Sequence, residues 1–514
     1  MFNLKRMKKA TYGTVGVILT TALLAGCSGT GTKTGTQTDS PNSSMSPSTA
    51  ATVKPPEAAT IRLLTENQPA WPIKKDWPVW KWVKEKTNIT VQQEAQTGPE
   101  SMALSIASGD MPDLFAVYTF DAQKYGPQGA FLDLSKHLDK MPNVKSFLAA
   151  KPDIARRMTS PGGEMYMLYN DGAGAGNQGV WFYRDDIFKK HSLQEPKTWD
   201  ELYETAKKLK QLYPDSYPFV FRHGLATLGS FGPSFGIYPS FYEDKASGKI
   251  KYGVTDPGFK SLVEYLNKFY KEGLIPPEWL SMDYKAWSQY VLNNKSFMTF
   301  QFIGQIEIMN TQLQNGAHLK FMAPPAGTAG KGYIAKSDFE ELGFAVSSKT
   351  KNLDAVLRYL DFAYSKEGKD ILSWGKEGET YTVENGKRKL MPLFKEPNDL
   401  RKEAGIMTAG TYGLLDYSSL MSLFNDNERY SYQEVTKYQF TTPNTLPQLK
   451  ADEKSSITTV SEQITKYYET SVAKFILGET PMTQWDAFIS ELNKLGTQKL
   501  IDVYQTGLDR LKAK

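Results

Sequence analysis

The sequence predicts an α/β fold with a parallel sheet, divided into two lobes rather than built on one core. Three observations carry this. Between Ile61 and Val117 short apolar runs alternate strand, helix, strand, helix, strand, which is the pattern of a parallel sheet with helical crossovers. The chain has 514 residues, more than a single hydrophobic core supports. Hydrophobic residues make up 40% and charged residues 23%, a composition that excludes a wholly disordered or fibrous chain.

The elements follow in order. Ile61–Leu64 reads as a strand, and Trp77–Lys86 as a helix with Trp77, Trp80 and Val83 on one face and Pro78 confined to its first turn. Ile89–Val91 is a second strand, Glu100–Ser108 a short helix ended by Gly109, and Leu114–Val117 a third strand. Gly162–Tyr169 reads as a hairpin, Gly172–Gly179 as a flexible turn where the chain first crosses between lobes, and Val180–Arg184 as a strand. Thr198 with Glu201 forms a capping box that starts a helix carrying Leu202, Ala206 and Leu209. Asp185-Asp186 reads as a solvated helix start. Further on, Gly258–Tyr270 and Asn352–Ser365 are amphipathic helices, and Phe297–Phe302 is a buried strand. Phe321–Ala326 and Gly343–Val346 are strands that return the chain to the first lobe. The last part is helical over about Ser461–Leu477 and Thr483–Leu495.

The N-terminus has three parts: a basic stretch Met1–Lys9, an apolar stretch Ala10–Leu24 too short to span a bilayer, and small residues before Cys27. This is an export signal. Leu24-Ala25-Gly26-Cys27 resembles the bacterial lipoprotein processing box, which implies cleavage after residue 26 and a diacylglyceryl group on Cys27. The alternative is an ordinary secretion signal or weak membrane helix with a chance cysteine. Cys27 is the only cysteine, so no intrachain disulfide can form. Residues 27–59 are rich in Ser, Thr, Gly and Pro and read as a disordered tether.

Four bases fall in the first nine residues. Without residues 1–26 the balance is 57 basic to 56 acidic residues, or +1, which excludes a global basic field for nucleic acid. Catalytic and nucleotide motifs are absent. No Walker or dinucleotide loop, no His-Glu-x-x-His and no Gly-x-Ser-x-Gly occurs, and the four histidines lie far apart. Asp110 and Asp113 have the spacing of a structural helix exit. Aromatic residues, at 12%, are the positive signal. Tyr118, Phe120, Trp181, Phe231, Phe235, Tyr238, Trp279, Phe302, Trp374 and Tyr412 sit beside turns, where rings can stack on the apolar faces of a sugar. Each ring taken singly is also compatible with core packing.

Three further segments carry a family resemblance. They are Ser108-Gly109-Asp110-Met111-Pro112-Asp113-Leu114, then Trp181-Phe182-Tyr183-Arg184-Asp185-Asp186 followed by Pro196-Lys197-Thr198-Trp199-Asp200-Glu201-Leu202, and finally Trp485-Asp486-Ala487-Phe488 through Gly496 and Val503-Tyr504-Gln505. In this order, behind a lipobox and tether, they resemble the extracellular solute-binding proteins of sugar ABC importers. More narrowly, they resemble the large Gram-positive lipoprotein members of the Paenibacillus and Bacillus type. The resemblance implies a two-lobed periplasmic-binding-protein-like fold with an interlobe cleft and additional C-terminal helices. Residues 60–172 plus 322–375 are expected to form lobe 1, and residues 173–321 plus 376–514 lobe 2. It further implies a monomer anchored by lipid on the extracellular face of the cytoplasmic membrane. There it would bind a mono- or oligosaccharide and deliver it to permease subunits, without catalysis. Expected ligand contacts are Tyr118, Phe120, Trp181, Arg222, Trp279, Phe302, Trp374 and Tyr412, with Glu66 at the end of the first strand. Some relatives carry a calcium loop after the Pro-x-Thr-Trp helix. Here Tyr213–Pro218 lacks the ligand series, so calcium is not expected at this loop, a site assembled elsewhere being the alternative; no cofactor is expected. A surface carbohydrate sensor or adhesion module, or a polysaccharide-degrading enzyme, are the alternatives.

Overall fold

The computed structural model describes residues 56–512, apart from Pro99, 173–177, Lys245, 337–338, Glu396, Ala409, Tyr412 and 442–445. The expected signal peptide, Cys27 and the tether as far as residue 55 lie outside the described residues. Among the described residues, no helix is long and apolar enough to cross a membrane.

Strand β1 (Ala59–Thr65) opens the fold, with Ile61 and Leu63 fully buried. The helix Pro78–Thr87 follows, its proline in the first turn, and Asn88 ends it in the left-handed region at φ 56°. β2 (Ile89–Ala95), the helix Ser101–Ser108 and β3 (Leu114–Tyr118) complete the alternation expected from the sequence. The helix exit is structural, as expected: Asp113 accepts the Arg62 N–H at 2.9 Å and the Thr350 hydroxyl at 2.6 Å. β4 is Leu168–Asp171. Then come β5 (Gly179–Arg184), β6 (Phe219–Phe221), the hairpin β7 (Phe241–Asp244) and β8 (Lys249–Tyr252), β9 (Met298–Phe302) and β10 (Leu319–Met322). β11 (Ile334–Lys336), β12 (Phe339–Val346), the hairpin β13 (Tyr381–Glu384) and β14 (Lys387–Leu390), and β15 (Gln439–Thr441) follow.

Two sheets organise the lobes. The first has the order β2-β1-β3-β12-β4, with β1 parallel to β2 and β3, and β12 inserted antiparallel between β3 and β4. Gly343 in β12 is required there, because a Cβ would lie 1.8 Å from the Leu168 carbonyl oxygen. The second sheet has the order β10-β5-β9-β6. Successive residues of β5 point to opposite faces. Val180 and Phe182 enter the core shared with the first lobe, whereas Trp181 and Tyr183 enter a second core. That second core is closed by the helices Trp199–Leu212, Pro257–Lys271, Ala451–Leu477 and Trp485–Leu495.

Several expectations need correction. The strand expected at Phe321–Ala326 ends at Met322 and pairs with β5, so it stays in the second lobe, and β12 makes the return. Residues 376–416, expected in lobe 2, pack on the first lobe. Trp82 donates its indole N–H to Glu379 at 2.9 Å, Lys376 pairs with Glu85 at 2.6 Å, and Lys74 pairs with Glu403 at 2.7 Å. Asp186 is not simply solvated. Its carboxylate takes both Nε and Nη2 of Arg184 at 2.7 Å, and the arginine side chain is buried. The helix expected from Ser461 starts ten residues earlier, at Ala451; its first three turns are mostly exposed and carry no apolar period that marks them in the sequence.

The capping residue Thr198 accepts the Glu201 N–H at 3.1 Å, and Glu201 reaches back to the Lys197 N–H at 2.7 Å. Thr198→Ala is expected to cost about 1 kcal/mol, read as a lower urea midpoint with ligand affinity unchanged. An unchanged midpoint would mean that the Trp199 N–H bond to the Ala326 carbonyl (3.0 Å) holds the helix start alone.

Candidate functional site

The topology sets two rims opposite one another. On the first sheet β1, β3 and β4 end at one rim and β12 begins there, with Leu342 opposite Tyr118 and Phe339 opposite Asp171. On the second sheet β5 begins where β6, β9 and β10 end, with Gly179 opposite Phe302 and Trp181 opposite Met322. The connections from β4 to β5 and from β10 to β12 both run from one rim to the other. Residues just past these strand ends therefore line the crevice between the lobes, the usual ligand position in open α/β sheets.

Glu66, Tyr118, Phe120 and Asp121 form the first rim. Glu66 is half-buried, accepts from Gln68 Nε2 at 3.2 Å and also from the Tyr118 hydroxyl. Burial raises its pKa, and the neighbouring Asp121 charge raises it further. Asp121, in the first turn of the helix Thr119–Tyr125, accepts the Tyr118 N–H at 3.2 Å, and burial raises its pKa too. The Tyr118 and Phe120 rings stack at 5.7 Å with planes 5° apart. Phe120 is 66% exposed.

The second rim is built by parity. Gln178, Arg222 and Gln301 continue the face of the second sheet that carries Val180 and Val220. Arg222 Nη2 donates to Gln301 Oε1 at 3.3 Å, and its guanidinium lies 5.3 Å from the Tyr284 ring centroid. Burial lowers the Arg222 pKa, while Tyr284 and Asp283 work against that. Three buried atoms here have no hydrogen-bond partner among the described residues: Gln178 Oε1, Arg222 Nε and Gln301 Nε2. Such atoms are rare in folded proteins and each leaves a desolvation cost that a ligand hydroxyl can offset. His223 and Phe302 continue the opposite face, their rings 6.1 Å apart. His223 takes the left-handed φ of 71°, uncommon for a non-glycine residue. Partial loss of solvent, then the Arg222 charge, lower its pKa. Gly224 follows at φ 51°, and a Cβ there would lie 2.5 Å from the Leu280 carbonyl oxygen, which seats this turn on the segment Trp279–Ser281. Phe302 is 39% exposed. A cavity of about 730 Å³ adjoins Thr119 and runs between the helix Pro152–Met158 and the end of the C-terminal helix Thr497–Lys512.

Of the residues expected from sequence, Glu66, Tyr118, Phe120, Arg222 and Phe302 lie on the two rims. The tryptophans do not. Trp181 is 1% exposed and stacks between Phe219 at 5.2 Å and Phe231 at 5.0 Å. Trp279 is 0% exposed beside Phe221, and Trp374 is 2% exposed with its indole N–H on Asp416 at 3.1 Å. Phe231, Phe235 and Tyr238 are buried as well. Tyr412 lies outside the described residues. Gln178, Asp121, His223, Tyr284 and Gln301 were not expected. Gln301 carries a readable signal, as a glutamine between two phenylalanines in a buried strand. Among the described residues no group of three or more His, Cys, Asp or Glu side chains converges.

Comparison with known proteins agrees with this architecture. The sequence model of the bacterial extracellular solute-binding protein family matches residues 71–370, more than half of the chain. A fructooligosaccharide ABC transporter substrate-binding protein of Streptococcus pneumoniae is 23% identical, over 99% of both chains. A polygalacturonan/rhamnogalacturonan-binding protein of Bacillus subtilis is 20% identical, over 79% of this chain and 82% of its own. Among solved structures, a calcium-free alginate-binding protein superposes with a TM-score of 0.73 at 23% identity, covering 89% of this chain and 99% of the other. The S. pneumoniae fructooligosaccharide protein in complex with kestose gives 0.71 at 20% identity, with coverage of 88% and 99%. These likenesses show the two-lobed fold with discontinuous lobes and extra C-terminal helices.

Proposed function

The chain belongs to the bacterial extracellular solute-binding proteins, and from that premise we propose that it captures an oligosaccharide between its two rims and hands it to an ABC permease. The observation that carries the reading is the pairing of exposed rings with unpartnered buried polar atoms on facing strand ends. Phe120 and Phe302 offer apolar faces to the C–H faces of pyranose or furanose rings, while Glu66, Asp121, Gln178, Arg222 and Gln301 meet hydroxyls. The names of the relatives, which bind fructooligosaccharide, pectic polymer and alginate, support a carbohydrate.

The mechanism is binding without chemistry. A sugar seated on one rim leaves the opposite polar atoms unpaired until the lobes close. Closure satisfies Arg222 Nε and the two glutamines together, and so couples occupancy to the closed shape. We place the lobe limits at about residues 56–172 plus 323–416 for the first lobe, with the remainder in the second, a division supported by the contacts of Glu379, Lys376 and Glu403 with the first lobe. Lipid on Cys27 would hold the monomer at the outer face of the membrane.

A thermal-shift screen of the purified protein against fructo-, manno-, pectic and alginate oligosaccharides tests the reading. A ligand at 100 times its Kd is expected to add about 2.7 kcal/mol to folding stability. Chromatography of the same mixtures is expected to return the sugar intact, and a shortened product would overturn the binding-only mechanism.

A further inference from the structure

We propose that the ligand is an uncharged oligosaccharide, and that Glu66 and Asp121 are the groups that turn uronates away. This deepens the carbohydrate reading and rests on it. The relatives' names do not settle the point, since they span a neutral class, fructooligosaccharide, and two polyuronates, polygalacturonan and alginate. The charges on the two rims do.

The first rim places two half-buried carboxylates beside the exposed ring of Phe120. Neither Glu66 nor Asp121 is in an ion pair among the described residues, and Lys124 is the one cation acting on either. A third carboxylate, Asp171, stands at the end of β4 and is paired with Lys151 at 3.5 Å. The second rim holds Arg222, and Asp283 already acts on that charge. Partial burial and then the Arg222 charge both disfavour a positive charge on His223. A uronate would therefore find one partly compensated cation on one side and, on the other, two carboxylates with no ion-pair partner among the described residues. Like charges brought together in a site stripped of water oppose binding strongly. A sugar hydroxyl has the opposite fit. It donates to Glu66 or Asp121 in a charge-assisted bond, and its oxygen accepts from Arg222 Nε or Gln301 Nε2, both unpartnered. The remaining unpaired atom, Gln178 Oε1, is an acceptor and also calls for a hydroxyl donor.

Calorimetric titration at pH 7 with kestose, mannotriose and xylotriose, and with trigalacturonate and triguluronate, tests this. At least one neutral trisaccharide is expected to bind about tenfold or more tightly than either uronate trimer. A uronate that binds as tightly as the best neutral sugar overturns the inference and leaves the carbohydrate reading standing. No heat from any neutral or acidic sugar overturns that reading itself. In the double variant Glu66→Gln, Asp121→Asn the neutral-to-uronate preference is expected to fall at least about tenfold. An unchanged preference removes the two carboxylates from the proposal. Folding of the variant is checked separately. Burial raises both pKa values, so the unliganded fold loses stability at these groups as pH rises through their folded-state values. The neutral side chains are therefore expected to leave the melting midpoint at pH 7 equal to or above that of the parent. A variant that melts lower is replaced by Glu66→Gln alone, for which a smaller fall in the same ratio is required.

Discussion

Trp181→Ala and Phe302→Ala are expected to fail in opposite ways. Loss of the Trp181 indole empties a site walled by Phe219, Phe231, Phe300 and Trp199, whose ring centroids lie 5.0 to 5.7 Å away. Those neighbours sit on two strands and two helices and cannot collapse together into the space. The cost is expected at about 3–5 kcal/mol, the range for a fully buried tryptophan cut to alanine. Urea unfolding followed by tryptophan fluorescence reads it directly. Phe302 stands one residue past the buried Gln301, with over a third of its surface in water. Its truncation is expected to move the unfolding midpoint little, and to weaken oligosaccharide binding by about tenfold. If Phe302→Ala destabilised the fold as much as Trp181→Ala, its ring would be core and the second rim would lose its stacking face. A Trp181 variant that folds normally but no longer binds sugar would reverse the assignment of that residue.

The same pair explains what the sequence carries and what it withholds. β1, β2, β3 and β5 are legible because each is an apolar run bounded by turn residues, and local pattern decides a strand. The position of a ring relative to water is not local. Trp181 and Phe302 both stand in apolar runs on one sheet, diagonal across the β5–β9 ladder and two residues out of register. Parity puts both rings on the same face, but Trp181 stands opposite Phe300 inside the helix-covered core, whereas Phe302 stands opposite Gly179 at the last step of the ladder and is 39% exposed. Only the register, set by residues over a hundred positions apart, separates the two. Residues 376–416 were misplaced for a related reason. They attach to the first lobe through scattered buried residues such as Phe394, Leu400 and Ile406 and through long-range contacts such as Trp82 to Glu379 and Lys74 to Glu403, which leave no periodic trace. Arg222 was legible as a cation just beyond an apolar triplet, and Glu66 likewise as an acid just beyond β1. His223 was not, because its unusual backbone angle is imposed by the seat of Gly224 on Leu280.

Arg222→Met carries the second large effect, and its two readouts are expected to move in opposite directions. Arg222 is a partly buried cation that, among the described residues, has no carboxylate bonded to it and an unpartnered Nε; it makes a 3.3 Å bond to Gln301 and lies against the Tyr284 ring. Burial works against its charge. A methionine of similar length removes that desolvated charge and keeps the contact with Tyr284, so the unliganded fold is expected to be as stable as the parent or more so. Binding is expected to suffer. The guanidinium supplies a charged donor to a ligand oxygen, and its loss also frees Gln301 Oε1 from a partner in the closed state. Truncating one side of such a buried, charge-assisted contact costs about 2–4 kcal/mol, or roughly 30- to 1000-fold in Kd. Thermal melting of the free protein and calorimetry with the sugar identified by the screen give the two numbers on one preparation. A fold that tolerates or prefers methionine at 222, in a protein that then loses its ligand, is the behaviour of a residue kept for binding at the expense of stability. A variant that melts lower and binds normally would instead make Arg222 part of the scaffold, and the unpartnered atoms of the second rim would need another occupant.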